Sequence, residues 1–331
     1  MEIREIGKSR IRTKALALGC WAIGGGEWWG DNDDEISVKT VLRGLELGIS
    51  WIDTARVYGF GHSEEVVGKA LKQTDRSRVI LSTKCGLQWY DHGGELHFTK
   101  EGHTVYRDLS PSAIRRDLEK SLTTLRTDYI DIYYTHWQCK SYGKVSVAET
   151  MGELLKMKEE GKIWAIGASN VDLTVLKDYV AAGELDVIQE KYSILDRKAE
   201  KDLLPFCEAN GITFQTYSPI EQGLLAGKIP DDYIPGKGEA REGKDWWKPE
   251  NIRTANAMLK GWKDITDKYQ CNLTNLCIKW NSMVSNNINV LCGARKLSQI
   301  EDTAKSMDIP LTREEFLRMK KEADIAIKQQ L

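Results

Sequence analysis

Four polar residues fall where reduction of a carbonyl would need them: Asp53, Tyr58, Lys84 and His136. Each sits at or just past the end of an apolar, strand-like run. Ile-Ser-Trp-Ile leads into Asp53 and Tyr58 follows five residues later; Val79-Ile-Leu-Ser-Thr ends on Lys84; Tyr129-Ile-Asp-Ile-Tyr-Tyr-Thr ends on His136. Consecutive parallel strands that end in ionisable groups converge them on one rim, where α/β barrels keep their chemistry. A carbonyl that accepts hydride gains negative charge on oxygen, and a positioned hydroxyl then donates a hydrogen bond and a proton. A free tyrosine, with a pKa of about 10, is a reluctant donor. A nearby ammonium lowers that value. Lys84 is the candidate cation, Asp53 its partner, and His136 a group that orients the carbonyl. A structural Asp–Lys pair with an unrelated Tyr and His is the plain alternative; four such groups on one rim favour catalysis.

Such a rim needs a scaffold. Apolar runs of strand length at 15–21, 50–53, 79–84, 129–136, 163–168, 186–190, 212–217 and 288–292 alternate with helical patterns at 35–47, 63–72, 111–125, 147–160, 172–182, 200–210, 252–284 (broken) and 297–306. Eight strand–helix units predict an α/β fold, a single (β/α)8 TIM barrel spanning residues 1–331. Residues 2–12 are read as an N-terminal hairpin and 312–330 as a C-terminal helix. Ser110-Pro111 marks a helix start. Gly161, Gly183 and Gly211 each stand where a helix ends. Three long connections, 22–34, 85–110 and 218–250, all follow strands and so lie over the same rim as candidate walls.

The 47 Lys and Arg nearly balance the 49 Asp and Glu. No basic stripe points to nucleic acid or an anionic membrane. No apolar run approaches the roughly 20 residues of a membrane helix. The seven Cys are scattered without a Cys-x-x-Cys pair, and the N-terminus has no secretory h-region, so a reduced, cytoplasmic protein is expected. Asp91, His92, His97 and His103 are close in sequence but match no metal-ligand spacing, and a solvated loop is the preferred reading. Gly59-Phe-Gly-His-Ser-Glu64 fails the dinucleotide fingerprint at its last position; its glycines instead suit a tight loop beside Tyr58.

The run Asp53-Thr-Ala-Arg-Val-Tyr-Gly-Phe-Gly-His-Ser-Glu-Glu-Val-Val-Gly-Lys-Ala-Leu71 resembles the signature of the aldo-keto reductase superfamily. Gly161-Lys-Ile-Trp-Ala-Ile-Gly-Ala-Ser-Asn170, Tyr217-Ser-Pro-Ile-Glu-Gln-Gly-Leu-Leu-Ala-Gly-Lys228 and Gly293-Ala-Arg-Lys-Leu-Ser-Gln299 resemble its fifth-strand, seventh-strand and eighth-strand motifs. The branch resembles bacterial oxidoreductases related to potassium-channel β subunits. The resemblance implies Tyr58 as general acid, with Asp53, Lys84 and His136 completing a tetrad. It implies Ser169, Asn170 and Gln189 at a nicotinamide carboxamide and Tyr217 stacked on the ring. Cys20 and Trp21 would border the ribose and the pocket. Ser218, Ile220, Gly223 and Lys228 would line the pyrophosphate, and Gly293, Arg295 and Gln299 the adenosine end. An Asn commonly follows that Gln by four residues; Thr303, after Asp302, stands there instead. Arg295 and Lys296 offer charge for a 2′-phosphate, which predicts NADPH, with NADH possible.

Trp21, Trp28, Trp29, Trp89 and Trp137 all fall in rim segments, with Glu27, Asp91 and Gln138 as polar companions. Such a wall suits a sugar, keto-sugar or small aldehyde. Two other classes stand beside the carbonyl reductase: an NADPH-binding regulatory subunit with slow turnover, and a metal-dependent barrel hydrolase or isomerase. Oligomeric state is not legible.

Overall fold

A computed structural model describes residues 3–91, 93–139 and 145–330. The strands in chain order are β1 (Ile3–Glu5), β2 (Arg12–Lys14), β3 (Leu16–Gly19), β4 (Trp51–Asp53), β5 (Ile80–Cys85), β6 (Leu87–Gln88), β7 (Glu95–Lys100), β8 (His103–Arg107), β9 (Ile130–Thr135), β10 (Ile163–Ser169), β11 (Val187–Lys191), β12 (Thr213–Tyr217) and β13 (Ile288–Gly293). Eight of them close a parallel barrel in the order β3, β4, β5, β9, β10, β11, β12, β13 and back to β3. These are the eight predicted strands, within two residues at each end. Buried on both faces, they read as apolar runs rather than as alternation.

Two layers of packing hold the barrel. Outside, the strands' outward residues meet the helices in one continuous core. Inside, Ala17, Trp51, Ile132, Tyr134, Ala165, Val187 and Leu291 fill the lumen, and Ile6 from the β1–β2 hairpin closes its N-terminal mouth. The predicted helices form with small shifts. The broken stretch resolves into Pro249–Lys260, Lys263–Tyr269 and Leu273–Ser282, and the last helix runs Arg313–Lys328. Its N-cap Thr312 and Glu315 make a reciprocal capping box. Gly161 and Gly211 end helices at φ +73° and +66°. Gly183 instead is extended, at φ 170°. There a Cβ would approach Met151 Cγ at 2.9 Å, so packing rather than handedness suits it to glycine. Pro111 opens its helix as expected, but Ser110 caps with backbone alone.

The connection 85–110 departs furthest from expectation. It folds into a three-stranded antiparallel sheet, β6–β8–β7, standing over the rim. Its β7–β8 turn is Glu101-Gly102, both at positive φ, as a two-residue type I′ hairpin requires. The connection 22–34 likewise carries a short helix, Gly26–Trp29. No described helix is long and apolar enough to cross a membrane.

Candidate active site

Parallel register decides which side chains meet. Asp53 pairs with Ser82 across β4–β5, and Lys84 lies two residues beyond on β5. Lys84 Nζ therefore reaches Asp53 Oδ2 at 2.6 Å, Thr54 O at 2.8 Å and Tyr58 Oη at 3.2 Å. All three ammonium donors have partners, which a buried lysine needs. Asp53 Oδ1 accepts from Ser82 Oγ at 2.7 Å and Gln189 Nε2 at 3.2 Å. Tyr58 arrives on the tight turn Val57–Gly61. A Cβ at Gly59 would stand 2.2 Å from Gly24 O, and Gly59 holds φ +59°. Only glycine fits there, and the close approach presses the Tyr58 turn against the loop after β3. His136, just past β9, packs edge-on to Tyr58 with ring centroids 5.6 Å apart.

The electrostatics follow from depth. Burial works against the Lys84 charge, but Asp53 and Tyr58 outweigh it, and its pKa lies above the ordinary lysine value. Burial pushes the Tyr58 phenol above its ordinary value; Lys84 pulls it down and Asp53 pushes it up. The expectation that Lys84 leaves this tyrosine more acidic than a free one is thus corrected. Lys84 limits a rise instead, and the phenol keeps its proton, the state a donor requires. Burial, then Lys84 and His97, holds His136 well below the usual histidine range, so its imidazole is neutral.

The rim opens into a cleft of about 1560 Å³ lined by Trp21, Asp53, Tyr58, His136, Ser169, Asn170, Gln189, Tyr217, Ser218, Ile220, Gly223, Gly293, Arg295 and Gln299 among others. One chain of hydrogen bonds ties its floor. Ser169 Oγ donates to Gln189 O at 2.8 Å, Asn170 Nδ2 to His136 O at 2.9 Å, and Tyr217 Oη to Asn170 Oδ1 at 2.9 Å. The chain after Tyr217 turns sharply, with positive φ at Ser218, Glu221, Gln222 and Gly223. Trp29 and Trp137 line the wall with Trp21, and Trp21 and Trp29 meet edge-on at 5.1 Å.

Four expected residues stand elsewhere. Cys20 is fully buried behind the rim, where burial and the Asp53 charge push its thiol far up. Trp89 does not face the cleft; it packs on Phe60 and Tyr90 under the Arg56 guanidinium, 5.3 Å from its ring. Lys228 and Lys296 are exposed and outside the lining. Arg241 and Lys244, from the connection after the seventh strand, do line the cleft, as does Lys191 beside Tyr217; the sequence reading missed them because no motif marks them. Lys244 keeps solvent contact, yet surrounding protein and the charge of Lys191 lower its pKa to about 8. Arg295 lines the cleft, but its Nη1 donates to Trp29 O at 2.9 Å and Asp31 O at 3.2 Å.

The loop histidines disperse. His97 pairs with Arg107, His103 packs at a tilt on Phe60 and Asp91 bridges Arg116 at 2.7 Å; His92 lies outside the described residues. Among the described residues no three His, Cys, Asp or Glu side chains gather as a metal site would require.

The chain matches the model of the Aldo/keto reductase family over residues 15–324. It is 44% identical over 321 residues to the NADH-specific methylglyoxal reductase of Escherichia coli, covering 96% of this chain and 97% of that one. It is 34% identical to an aldo-keto reductase of Bacillus subtilis, covering 91% and 87%. Among solved structures it superposes on the glycerol dehydrogenase of Gluconobacter oxydans with a TM-score of 0.86, at 32% identity over 99% of this chain and 95% of the other. A barrel closed around these strand ends, matched across nearly its whole length, belongs to the aldo/keto reductase family of NAD(P)H-dependent carbonyl-reducing enzymes.

Proposed function

We propose that this chain reduces a small oxygenated aldehyde or ketone to its alcohol, with Tyr58 as the proton donor. The observation that carries the reading is the triangle at Lys84, whose ammonium touches both Asp53 and the Tyr58 hydroxyl. The nicotinamide cofactor, when bound, supplies the hydride. The protein's part is to hold the carbonyl oxygen between the Tyr58 hydroxyl and the neutral His136 ring. As charge grows on that oxygen, the phenol proton moves to it, and Lys84 stabilises the phenolate left behind. Asp53 fixes Lys84 and keeps it charged.

The cleft suits the cofactor. Gln189 spends its Nε2 on Asp53 and Gln215, which leaves Oε1, with Ser169 Oγ, to accept from a carboxamide. Asn170 pins the Tyr217 hydroxyl, so that ring is a fixed platform for the nicotinamide. The sharp turn at 218–223, with Arg241 and Lys244, suits the diphosphate. An NADPH preference would need free charge at the adenosine end. Lys296 lies outside the lining and Arg295 is partly committed to loop carbonyls. NADH is therefore the better donor in our reading, in line with the Escherichia coli relative. The aromatic wall with the polar Glu27 favours a short, oxygenated substrate, the kind named for the methylglyoxal and glycerol enzymes.

The test is Tyr58→Phe. It should lose at least about 100-fold in kcat, the lower bound for positioned acid catalysis, while titration of intrinsic fluorescence gives an unchanged NADH affinity. A Phe variant that turns over methylglyoxal like the wild type removes Tyr58 from the mechanism.

A further inference from the structure

A second depression, of about 430 Å³, lies at the end of the barrel opposite the catalytic rim. Ser50 directly precedes β4, Ile80 opens β5, and Asp131 and Trp164 stand second on β9 and β10, so the depression sits at the N-terminal ends of the strands. Arginines from two separate segments line it: Arg10 and Arg12 from the β1–β2 hairpin, and Arg78 from the turn Arg76–Arg78 before β5. All three are exposed, and among the described residues their guanidinium groups make no hydrogen bond or ion pair. Arg10 holds φ +65° at the hairpin tip, so the turn keeps an arginine where glycine would be easier. The carboxylate in the lining, Asp131, is already answered by Arg76 Nη2 at 2.7 Å and Leu81 N at 2.9 Å. Glu5 and Asp75 lie outside the lining. Glu5 stands opposite Arg12 in register without an ion pair, and Asp75, which feels the Arg78 charge, accepts from Ser77 N and Oγ. In a chain whose 47 cations nearly cancel its 49 anions, this mouth is a local excess of unpaired positive charge. It also carries an aromatic platform. Trp164 keeps 46% of its surface exposed although its neighbours on β10 are buried. It stacks on Tyr129 with ring centroids 4.4 Å apart and planes 9° from parallel, and the Arg76 guanidinium lies 4.1 Å from the Tyr129 ring. Arg76 is tied to Thr127 Oγ1, Val79 O and Tyr129 O, which fixes the stack. One face of the indole is spent on Tyr129, and the surface that stays exposed is open to another flat ring.

We propose that this mouth binds a nucleoside polyphosphate, its phosphates on Arg10, Arg12 and Arg78 and its base on Trp164. The guanidinium fork matches phosphate oxygens two at a time, and three long side chains with no competing partner reach a ligand in the depression they line. Every base has a π-face, so stacking on the indole adds affinity with little choice among bases. The volume falls within the range of about 300–1,000 Å³ usual for small-molecule sites. The site is separate from the catalytic rim and does not rest on the reductase reading.

Calorimetric titration with ATP, in excess NADH so that the rim cleft is occupied, tests this. The wild type should take up one ATP per chain, with affinity falling as salt rises. Arg12→Ala combined with Arg78→Ala should weaken binding at least about tenfold, and Trp164→Ala at least about fivefold. Tripolyphosphate should bind more weakly than ATP and be indifferent to Trp164→Ala, which also shows that this variant is folded. All variants should keep the wild-type Tm and rate of NADH oxidation, because the altered side chains are exposed and far from Lys84. ATP binding that disappears when NADH is added, or that the arginine substitutions leave unchanged, overturns the site. Tripolyphosphate binding as tight as ATP, with Trp164→Ala silent on both, overturns the base platform and with it the nucleotide class. A single-stranded oligonucleotide that binds where ATP does not also overturns the proposal and gives the mouth to nucleic acid.

Discussion

Lys84→Met is the perturbation that separates catalysis from folding most sharply. The substitution keeps an unbranched apolar stem one atom shorter but leaves Asp53, 1% exposed, without the ammonium now 2.6 Å away. Removing one partner of a buried ion pair costs about 3–5 kcal/mol. With an unfolding entropy near 2.1 cal/mol/K per residue, a chain of 331 residues should lose about 4–7 °C in Tm. Activity should fall further, because Lys84 also restrains the rise that burial imposes on Tyr58. Without it the phenolate has no counter-charge, and kcat should drop by about 100- to 10,000-fold, the full share of acid catalysis. Asp53→Asn on top of Lys84→Met divides the two effects. The double variant carries no buried net charge, so it should regain most of the lost Tm while kcat stays low. Differential scanning fluorimetry and stopped-flow NADH oxidation give both numbers on one preparation. A Lys84→Met enzyme within about fivefold of wild-type kcat refutes the triangle as catalytic, and a double variant that regains activity along with Tm assigns Lys84 to folding alone.

Two further perturbations address the walls. Asp117, on helix Pro111–Leu125, accepts from Gly86 N at 2.8 Å and from Tyr90 Oη at the root of the β6–β8 sheet, and burial raises its pKa to about 6. The folded state thus holds this proton more tightly than the unfolded chain, whose carboxyl titrates near 3.9. The contribution is complete below about pH 4 and lost as pH rises through 6, about 3 kcal/mol in all. Asp117→Asn cannot titrate, so urea melts at pH 4 and 7 should show the variant gaining about that much on the wild type; an unchanged difference disproves the link. Lys244→Ala should weaken NADH binding about tenfold at pH 7 and less at pH 9.5, where the wild-type ammonium, with a pKa of about 8, is mostly discharged. Equal affinities at pH 7 would take Lys244 out of the diphosphate cradle.

The barrel and its quartet were legible because both depend on local pattern plus one rule. Apolar runs of strand length separated by amphipathic helices give the strands, and parallel register carries their last residues to one rim. Asp53, Lys84 and His136 needed no more than that. What stayed hidden depends on how long connections fold. Glu95–Arg107 alternates only weakly, and a Glu-Gly turn is a fainter hairpin sign than Asn-Gly. His97 meets Arg107 only once β7 pairs with β8. Lys228 fits its motif by spacing, yet the turn at Gly227, φ +67°, carries it outward, and Arg241 and Lys244 come back into the cleft from a stretch without any pattern. Arg295 sat in a motif, but its hydrogen bonds to the Trp29 and Asp31 carbonyls could not be anticipated from sequence.

These two classes of residue also differ in how they are held, which bears on how the enzyme tolerates change. Asp53 and Lys84 sit on barrel strands and His136 just past one, fixed by the backbone bonds and lumen packing of the whole sheet, and Tyr58 sits on a turn pressed against the loop after β3. The walls rest on one another. Lys100, at the tip of β7, donates to Gly238 O at 2.6 Å and lies 3.3 Å from the Glu27 carboxylate and 5.2 Å from the Trp28 ring. Ala240 N donates to Trp28 O at 3.2 Å, and Arg295 holds the far end of the same loop. Three connections are thus clasped above the rim by a few polar contacts, each about as strong as a single hydrogen bond and partly open to water. Substitutions in the clasp can reshape substrate choice at a cost of about 1 kcal/mol apiece, whereas any change to Lys84 or Asp53 disturbs a buried charge pair worth several times that. On the proposed function, reaction type is tied to the barrel and substrate range to the loops, so that the two can vary independently.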